Sequence, residues 1–232
     1  QAMRWSAVCL LAVPLLAALA VCRADTPVCT DSVFAADTRW MDDAAVRWDE
    51  CRREGGVHVV SRGRPLADFL LFKATAAFPA AALAGLRDLL WDHNVERNGE
   101  WSHSFLNGTY VARLGADADL VYMQYSGAWP VASRDFCYVR CRRELPGGGL
   151  MMVFRSVDDA RCPPVPPGFV RGAMIDCAER IAVRSDGVEV TYVLQSDTGG
   201  WLPRAVSNAA NVGVMCKEFA GLHRLVGGAA AP

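Results

Sequence analysis

Lysine is nearly absent from this chain. Lys73 and Lys217 are the only two among 24 basic residues, and 25 acidic residues leave a formal net charge of -1. A protein that binds nucleic acid nonspecifically needs a basic excess to neutralise phosphates, so that class and a nucleic-acid partner are excluded. A disordered chain would carry fewer apolar residues than the 52% found here, and a more lopsided charge. There is no internal repeat and no low-complexity linker. Catalytic signatures are missing too: no G-x-S-x-G, no H-E-x-x-H and no phosphate loop occur, and His58, His93, His103 and His223 have no evident nucleophile beside them. With no C-x-x-C pair and no histidine cluster at ligand spacing, neither a metal nor a cofactor is expected. What remains is a chain of 232 residues, enough for one domain with a real core and a short appendage. Its cations are arginines, which keep their charge when buried, so an arginine inside an apolar strand carries information.

The first two dozen residues differ from the rest. Trp5 to Cys22 is an uncharged apolar run between Arg4 and Arg23, and the small Ala24 would allow cleavage before Asp25. Residues 1–24 therefore read as a signal peptide or an N-terminal membrane anchor, the run being at the lower length limit for a span and interrupted by Pro14; a buried helix is the plainer alternative. Export would place residues 25–232 in the secretory pathway or outside the cell, a cytoplasmic location being the alternative, and would give meaning to the glycosylation sequon Asn107-Gly108-Thr109, which equally reads as a hairpin turn. Of nine cysteines, seven follow the leader. Cys137 and Cys141 share one strand face at roughly 13 Å, too far to bond each other, and are expected as buried free thiols.

Periodicity sets the order of elements. Trp40, Ala44, Trp48 and Cys51 recur at helical spacing up to Gly55-Gly56, which predicts a helix over 37–53 with a glycine stop. Strands are expected over 57–62 and 67–75, then a helix opened by Pro79 with Leu83, Leu86 and Leu90 on its apolar face. Further strands follow near 101–106, 109–114, 119–125, 135–143, 150–156, 169–183 and 188–197, with Asn107-Gly108, Gly147-Gly148-Gly149 and Asp186-Gly187 as breaks. Pro203 starts a last helix to about Val226. Its apolar stripe is Val212, Met215, Phe219, Leu222 and Val226, and Ala209, Ala210 and Gly213 leave room beside it. This is an α+β layout in which a curved antiparallel sheet of about nine strands must cover a long C-terminal helix.

Four segments, in order, resemble a known family: Trp91-Asp92; Trp129-Pro130-Val131-Ala132-Ser133-Arg134-Asp135-Phe136 with Tyr138-Val139-Arg140; Gly168-Phe169-Val170-Arg171; and Asp197-Thr198-Gly199-Gly200-Trp201-Leu202-Pro203. They are similar to the steroidogenic-acute-regulatory-protein-related lipid-transfer (START) domains over about residues 37–226. The resemblance implies a helix-grip fold with an internal lipid tunnel, its mouth formed by the C-terminal helix and the loop before Arg134. It implies non-enzymatic binding and transfer of one sterol, phospholipid or fatty acid, by a monomer that touches a membrane surface transiently. A lipid-sensing protein, or a hydrolase or cyclase using the same cavity, is the alternative.

Strand alternation leaves two registers open for 135–143: Cys137, Val139 and Cys141 toward the core with Arg140 in water, or the reverse. The resemblance favours Tyr138 and Arg140 inward. There the arginine can meet a lipid head group or an acidic partner; a buried guanidinium needs a carboxylate, a water cluster or a ligand oxygen, and Asp92 is the candidate carboxylate. Met123, Tyr125 and Phe154 are expected to line the tunnel, as are Val206, Ala210 and Gly213 on the last helix. Met123 and Phe154 stand where the ceramide-transfer branch has amide side chains, which argues against ceramide. Ala128, Trp129, Pro130 and Val131 form an uncharged loop suited to membrane contact.

Overall fold

A computed structural model describes residues 22–23, 29–42, 46–63, 69–127 and 131–227. The short strand β1 (Cys22–Arg23) precedes helix α1 (Asp31–Asp42), the hairpin β2 (Asp49–Glu54) and β3 (Val57–Arg62), and β4 (Leu71–Phe78). A helical stretch follows: a 3-10 turn Ala80–Ala82, α2 (Leu83–Arg87), a π-turn Asp88–Asp92 and α3 (Asn94–Trp101). Then come β5 (Phe105–Gly115), β6 (Ala118–Tyr125), β7 (Ser133–Glu144), β8 (Leu150–Asp158), β9 (Phe169–Arg171), β10 (Ala173–Arg184), β11 (Gly187–Asp197) and the long α4 (Arg204–Val226). Nine of the strands form a curved antiparallel path in the order β2-β3-β4-β11-β10-β8-β7-β6-β5, while β1 and β9 run parallel to β8 and β7. Among the described residues no helix is long and apolar enough to cross a membrane.

The sheet is buried on both faces. On one side, Val121, Met123, Tyr138, Phe154, Cys177 and Ile181 pack with Leu86, Leu90 and Trp91 and with Met215, Phe219 and Leu222 of α4. On the other, Leu120, Tyr122, Cys137, Val139, Cys141 and Val153 pack with Phe34 and Met41 of α1. Strand β7 therefore satisfies both registers at once. Its Tyr138 and Arg140 lie on the α4 side, and its Cys137, Val139 and Cys141 are equally buried beneath α1. A strand covered on both faces loses the in-out alternation of a half-exposed one.

Several expectations are corrected. The helix over 37–53 does not form: α1 ends at Asp42, and Gly55 and Gly56, with φ of 55° and 77°, turn the β2–β3 hairpin instead of stopping a helix. Two consecutive residues at positive φ match the twist of a two-residue hairpin, and glycine adopts that conformation without strain. Trp40 on α1 and Trp48 in the segment before β2 both pack against the core on the α1 side, without one helix joining them. Asn107-Gly108 is not a break but lies within β5, where a Cβ on Gly108 would meet the Met123 sulfur at 2.5 Å and force that side chain to shift. Helix α3 stands where a strand from residue 101 was expected, and Gly172 divides the expected strand 169–183 into β9 and β10. Cys137 and Cys141 are not free thiols: Cys29 bonds Cys141 and Cys162 bonds Cys137, with Cα separations of 5.5 and 6.0 Å. Spacing excluded only the bond between the two.

Candidate functional site

The concave side of the sheet, closed by α4, gathers most of the expected residues. Strand alternation brings Met123 and Tyr125 of β6, Tyr138 and Arg140 of β7 and Phe154 of β8 to this face. Arg140 has no exposed surface, and burying a guanidinium demands compensation. The compensation comes from Asp119, its neighbour across β6 and β7. Arg140 Nε and Nη2 donate to Asp119 Oδ2 at 3.0 and 2.9 Å, and Nη2 also donates to the Tyr110 hydroxyl at 3.1 Å. The guanidinium lies over the Trp91 ring, 4.1 Å from its centroid, and 5.1 Å from that of Tyr110. Arg113 donates to the second Asp119 oxygen at 2.8 Å.

Asp92 is therefore not the partner of Arg140. It sits at the end of the π-turn, half exposed, 3.6 Å from Arg142. The π-turn presents Trp91, one residue earlier, to the guanidinium instead, while Asp92 turns toward solvent. Phe154 retains 9% of its surface, but Met123 has none. On α4, Val206 is 46% exposed and Ala210 is exposed, so neither is enclosed, and Gly213 is half-buried. The helix meets the sheet further along, at Met215, Phe219 and Leu222. Ala128, Trp129 and Pro130 lie outside the described residues, and Val131 is half-buried.

The enclosed face also holds polar groups that the motifs did not indicate. Burial pushes the Tyr125 and Tyr192 hydroxyls well above the usual phenol range and Tyr138 upward as well. Tyr125 and Tyr192 nevertheless keep part of their surface accessible. The hydroxyls of all three make no hydrogen bond to the described residues and are not sealed by packing. Side chains deep in a protein that still carry accessible surface border an internal space rather than a solid core. Phe136, Met174, Leu194 and Val212 are partly buried against the same core and supply apolar walls. Glu179 of β10 and Glu218 of α4 are acidic groups on this side. A glutamate alternating with Cys177 and Ile181 on one face of a strand, and another beside the stripe of the last helix, were the available sequence signals.

The rim nearby exposes Trp201, 95% accessible, just before α4. Arg134 holds this loop in place by donating to the Thr198 carbonyl at 3.0 Å and the Gly199 carbonyl at 3.4 Å. That gives the segment 197–203 and the start of β7 a common anchor. Among the described residues no group of His, Cys, Asp and Glu could hold a metal ion.

Comparison with known proteins places this arrangement. The chain is 32% identical over 110 residues to Protein ENHANCED DISEASE RESISTANCE 2-like of Arabidopsis thaliana, covering 44% of this chain and 15% of that protein. It is 24% identical over 179 residues to the ceramide transfer protein of Xenopus laevis, covering 70% of this chain and 29% of that protein. It thus spans less than a third of the length of either. The fold is that of human StAR-related lipid transfer protein 5, with a TM-score of 0.76 at 18% identity over 84% of this chain and 94% of that one. The family model of the START domain matches residues 44–224, and the helix-grip chain described above belongs to that family.

Proposed function

We propose that the protein is a non-enzymatic carrier that encloses one lipid between the concave sheet face and α4 and exchanges it at a membrane surface. One observation carries this reading: aromatic side chains at the heart of the domain, Tyr125 and Tyr192, retain accessible surface within a ring of apolar walls. Such a space accepts a hydrocarbon body and excludes water. Membership of the START family and the lipid-transfer names of its relatives support the same reading. A sterol, a phospholipid and a fatty acid all suit walls of this kind. The Arg140 charge is already compensated by Asp119, so its role is to hold the inner face of β6 and β7 together beside the lipid rather than to supply a free cation.

Exchange is assigned to the end of the domain where Trp201 and Val206 are exposed and where Arg134, at the start of β7, holds the segment before α4. Tryptophan suits the interface between water and lipid. Two disulfides and an exposed Asn107 within its sequon support a secretory or extracellular location, since cystines persist in oxidising compartments. The carrier acts as a monomer.

The decisive assay is transfer of fluorescent sterol, phospholipid and fatty acid between donor and acceptor vesicles by the oxidised, folded protein. Saturable binding of one lipid per chain with catalysed transfer is expected for at least one class. Failure with all three would remove carriage.

A further inference from the structure

On the concave face two carboxyl groups stand without a cation among the described residues. Glu179 alternates with Cys177 and Ile181, whose side chains lie in the core beneath α4, so its own side chain points the same way. It is 9% exposed and makes no hydrogen bond or ion pair with the described residues. Directly across the β10–β11 ladder is Tyr192, and across β8 is Met152. Glu218 approaches from α4, three residues after the fully buried Met215, and accepts one hydrogen bond, from Ser102 Oγ at 3.2 Å. Met215 belongs to the same buried cluster as Cys177 and Ile181, which flank Glu179, and Tyr125 and Tyr192 pack against that cluster, so Glu179 and Glu218 project from elements that meet around one region. Among the described residues no arginine, lysine or histidine acts on either carboxyl. The region therefore offers four carboxyl oxygens and a single donor bond from the protein.

Burial pushes Glu179 up to about 8 and Glu218 up to about 7, and repulsion from Glu218 adds to the rise at Glu179. Two uncompensated carboxyls inside an apolar wall are costly unless protonated or given a cation. A hydroxyl would bring one donor and no charge. A primary ammonium brings three N–H donors and the missing charge, and tyrosine rings beside it are compatible with a cation.

We propose that Glu179 and Glu218 form the recognition site for the amine of an aminolipid, one ammonium group seated between the two carboxyls with the hydrocarbon along the apolar walls; this deepens the carriage reading and rests on it. When a neutral amine enters, one carboxyl proton passes to its nitrogen, giving an ammonium and a carboxylate in contact. When the ammonium form enters, the carboxyl proton leaves to solvent.

Octadecylamine and octadecanol, matched in chain and delivered from cyclodextrin, separate this from general lipid binding. The parent is expected to bind the amine at least tenfold more tightly. Glu179→Gln and Glu218→Gln should each abolish that preference while leaving octadecanol binding within threefold, with thermal unfolding confirming the fold of each variant. Infrared spectroscopy of the unaltered protein provides a second readout: of the protonated-carboxyl bands, assigned by their losses in Glu179→Gln and Glu218→Gln, one should disappear when octadecylamine binds. A preference below tenfold, or one that survives in both variants, overturns the proposal, as does the persistence of both carboxyl bands with the amine bound. Butylamine should not displace octadecylamine at equal concentration; displacement would make this a site for small amines and overturn the aminolipid assignment. Binding of octadecanol without an amine preference sinks this proposal alone. Binding of neither probe, with no transfer in the vesicle assay, removes carriage and this site with it.

Discussion

Replacing Arg140 with methionine keeps much of the side-chain stem and removes the charge, and the consequence should appear first in stability. Asp119 and Arg140 side chains are each 1% exposed, so the variant strands a carboxylate in the interior. Breaking a buried pair from one side costs about 3 to 5 kcal/mol. The lower end applies here, because Arg113 remains on the other Asp119 oxygen at 2.8 Å although its own side chain is 64% exposed. The Tyr110 hydroxyl also loses a charged donor, worth roughly 1.5 to 3 kcal/mol in a typical setting and less at a half-buried hydroxyl. A loss of about 3 kcal/mol overall is expected in urea unfolding, with the slope unchanged. The double variant Arg140→Met, Asp119→Leu removes both charges and should return to within about 1 kcal/mol of the parent, since apolar replacement of a buried pair is often neutral or better. The double-mutant cycle then gives a coupling of at least about 2 kcal/mol. A cost below about 1 kcal/mol for Arg140→Met alone would refute the reasoning, because it would mean that Asp119 reaches water without its partner.

Peptide mapping of the oxidised protein should recover the pairs Cys29–Cys141 and Cys137–Cys162; on the chain-entropy estimate, separations of 112 and 25 residues correspond to about 5 and 3.5 kcal/mol, so reduction should lower the unfolding midpoint sharply. If reduction leaves the midpoint unmoved, the pairs are not structural. Stability should also depend on pH through Glu179 and Glu218, whose ordinary value of 4.5 is raised by burial to about 8 and about 7. The folded state then holds protons that the unfolded state has released, so stability is full below about pH 4.5 and is lost as pH rises through 7 and 8. Glu179→Gln should flatten that slope by at most about 1.4 kcal/mol per pH unit and be more stable than the parent at pH 9; a less stable variant there would contradict the burial argument. Trp201→Ala and Trp129→Ala should slow transfer between vesicles with little change in equilibrium lipid affinity, whereas equal losses in both would place these rings in lipid binding instead of membrane contact.

The sequence made the sheet and the last helix legible because their punctuation is local. Asp186-Gly187 and Pro203 mark ends that need no knowledge of the rest of the chain, and β11 and α4 begin within a residue of them. What failed depended on contacts distant in sequence. Gly108 signals a turn by composition, yet its absent side chain leaves room for Met123 on the next strand. The partners of Cys137 and Cys141 lie in segments that only folding brings onto β7. An arginine on the inner face needs a carboxylate, water or a ligand oxygen, and the sequence alone does not say which; strand pairing selects Asp119 over Asp92. Glu179 and Glu218 carry no motif, and their meaning comes from enclosure alone.

Both cystines attach to β7, and both on its α1 side, so one ties down the segment preceding α1 and the other the loop after β8. Seen as a mechanical device, the molecule has one covalently riveted jaw and one free jaw. The central strands cannot peel from their backing without breaking a covalent bond. Helix α4 carries only Cys216, a free thiol, and is retained by noncovalent packing. For the lipid carrier proposed above, opening is therefore assigned to α4 and the loop that leads into it, and an engineered cystine between α4 and β3 or β4 is expected to lock the cargo in without touching the wall that holds it.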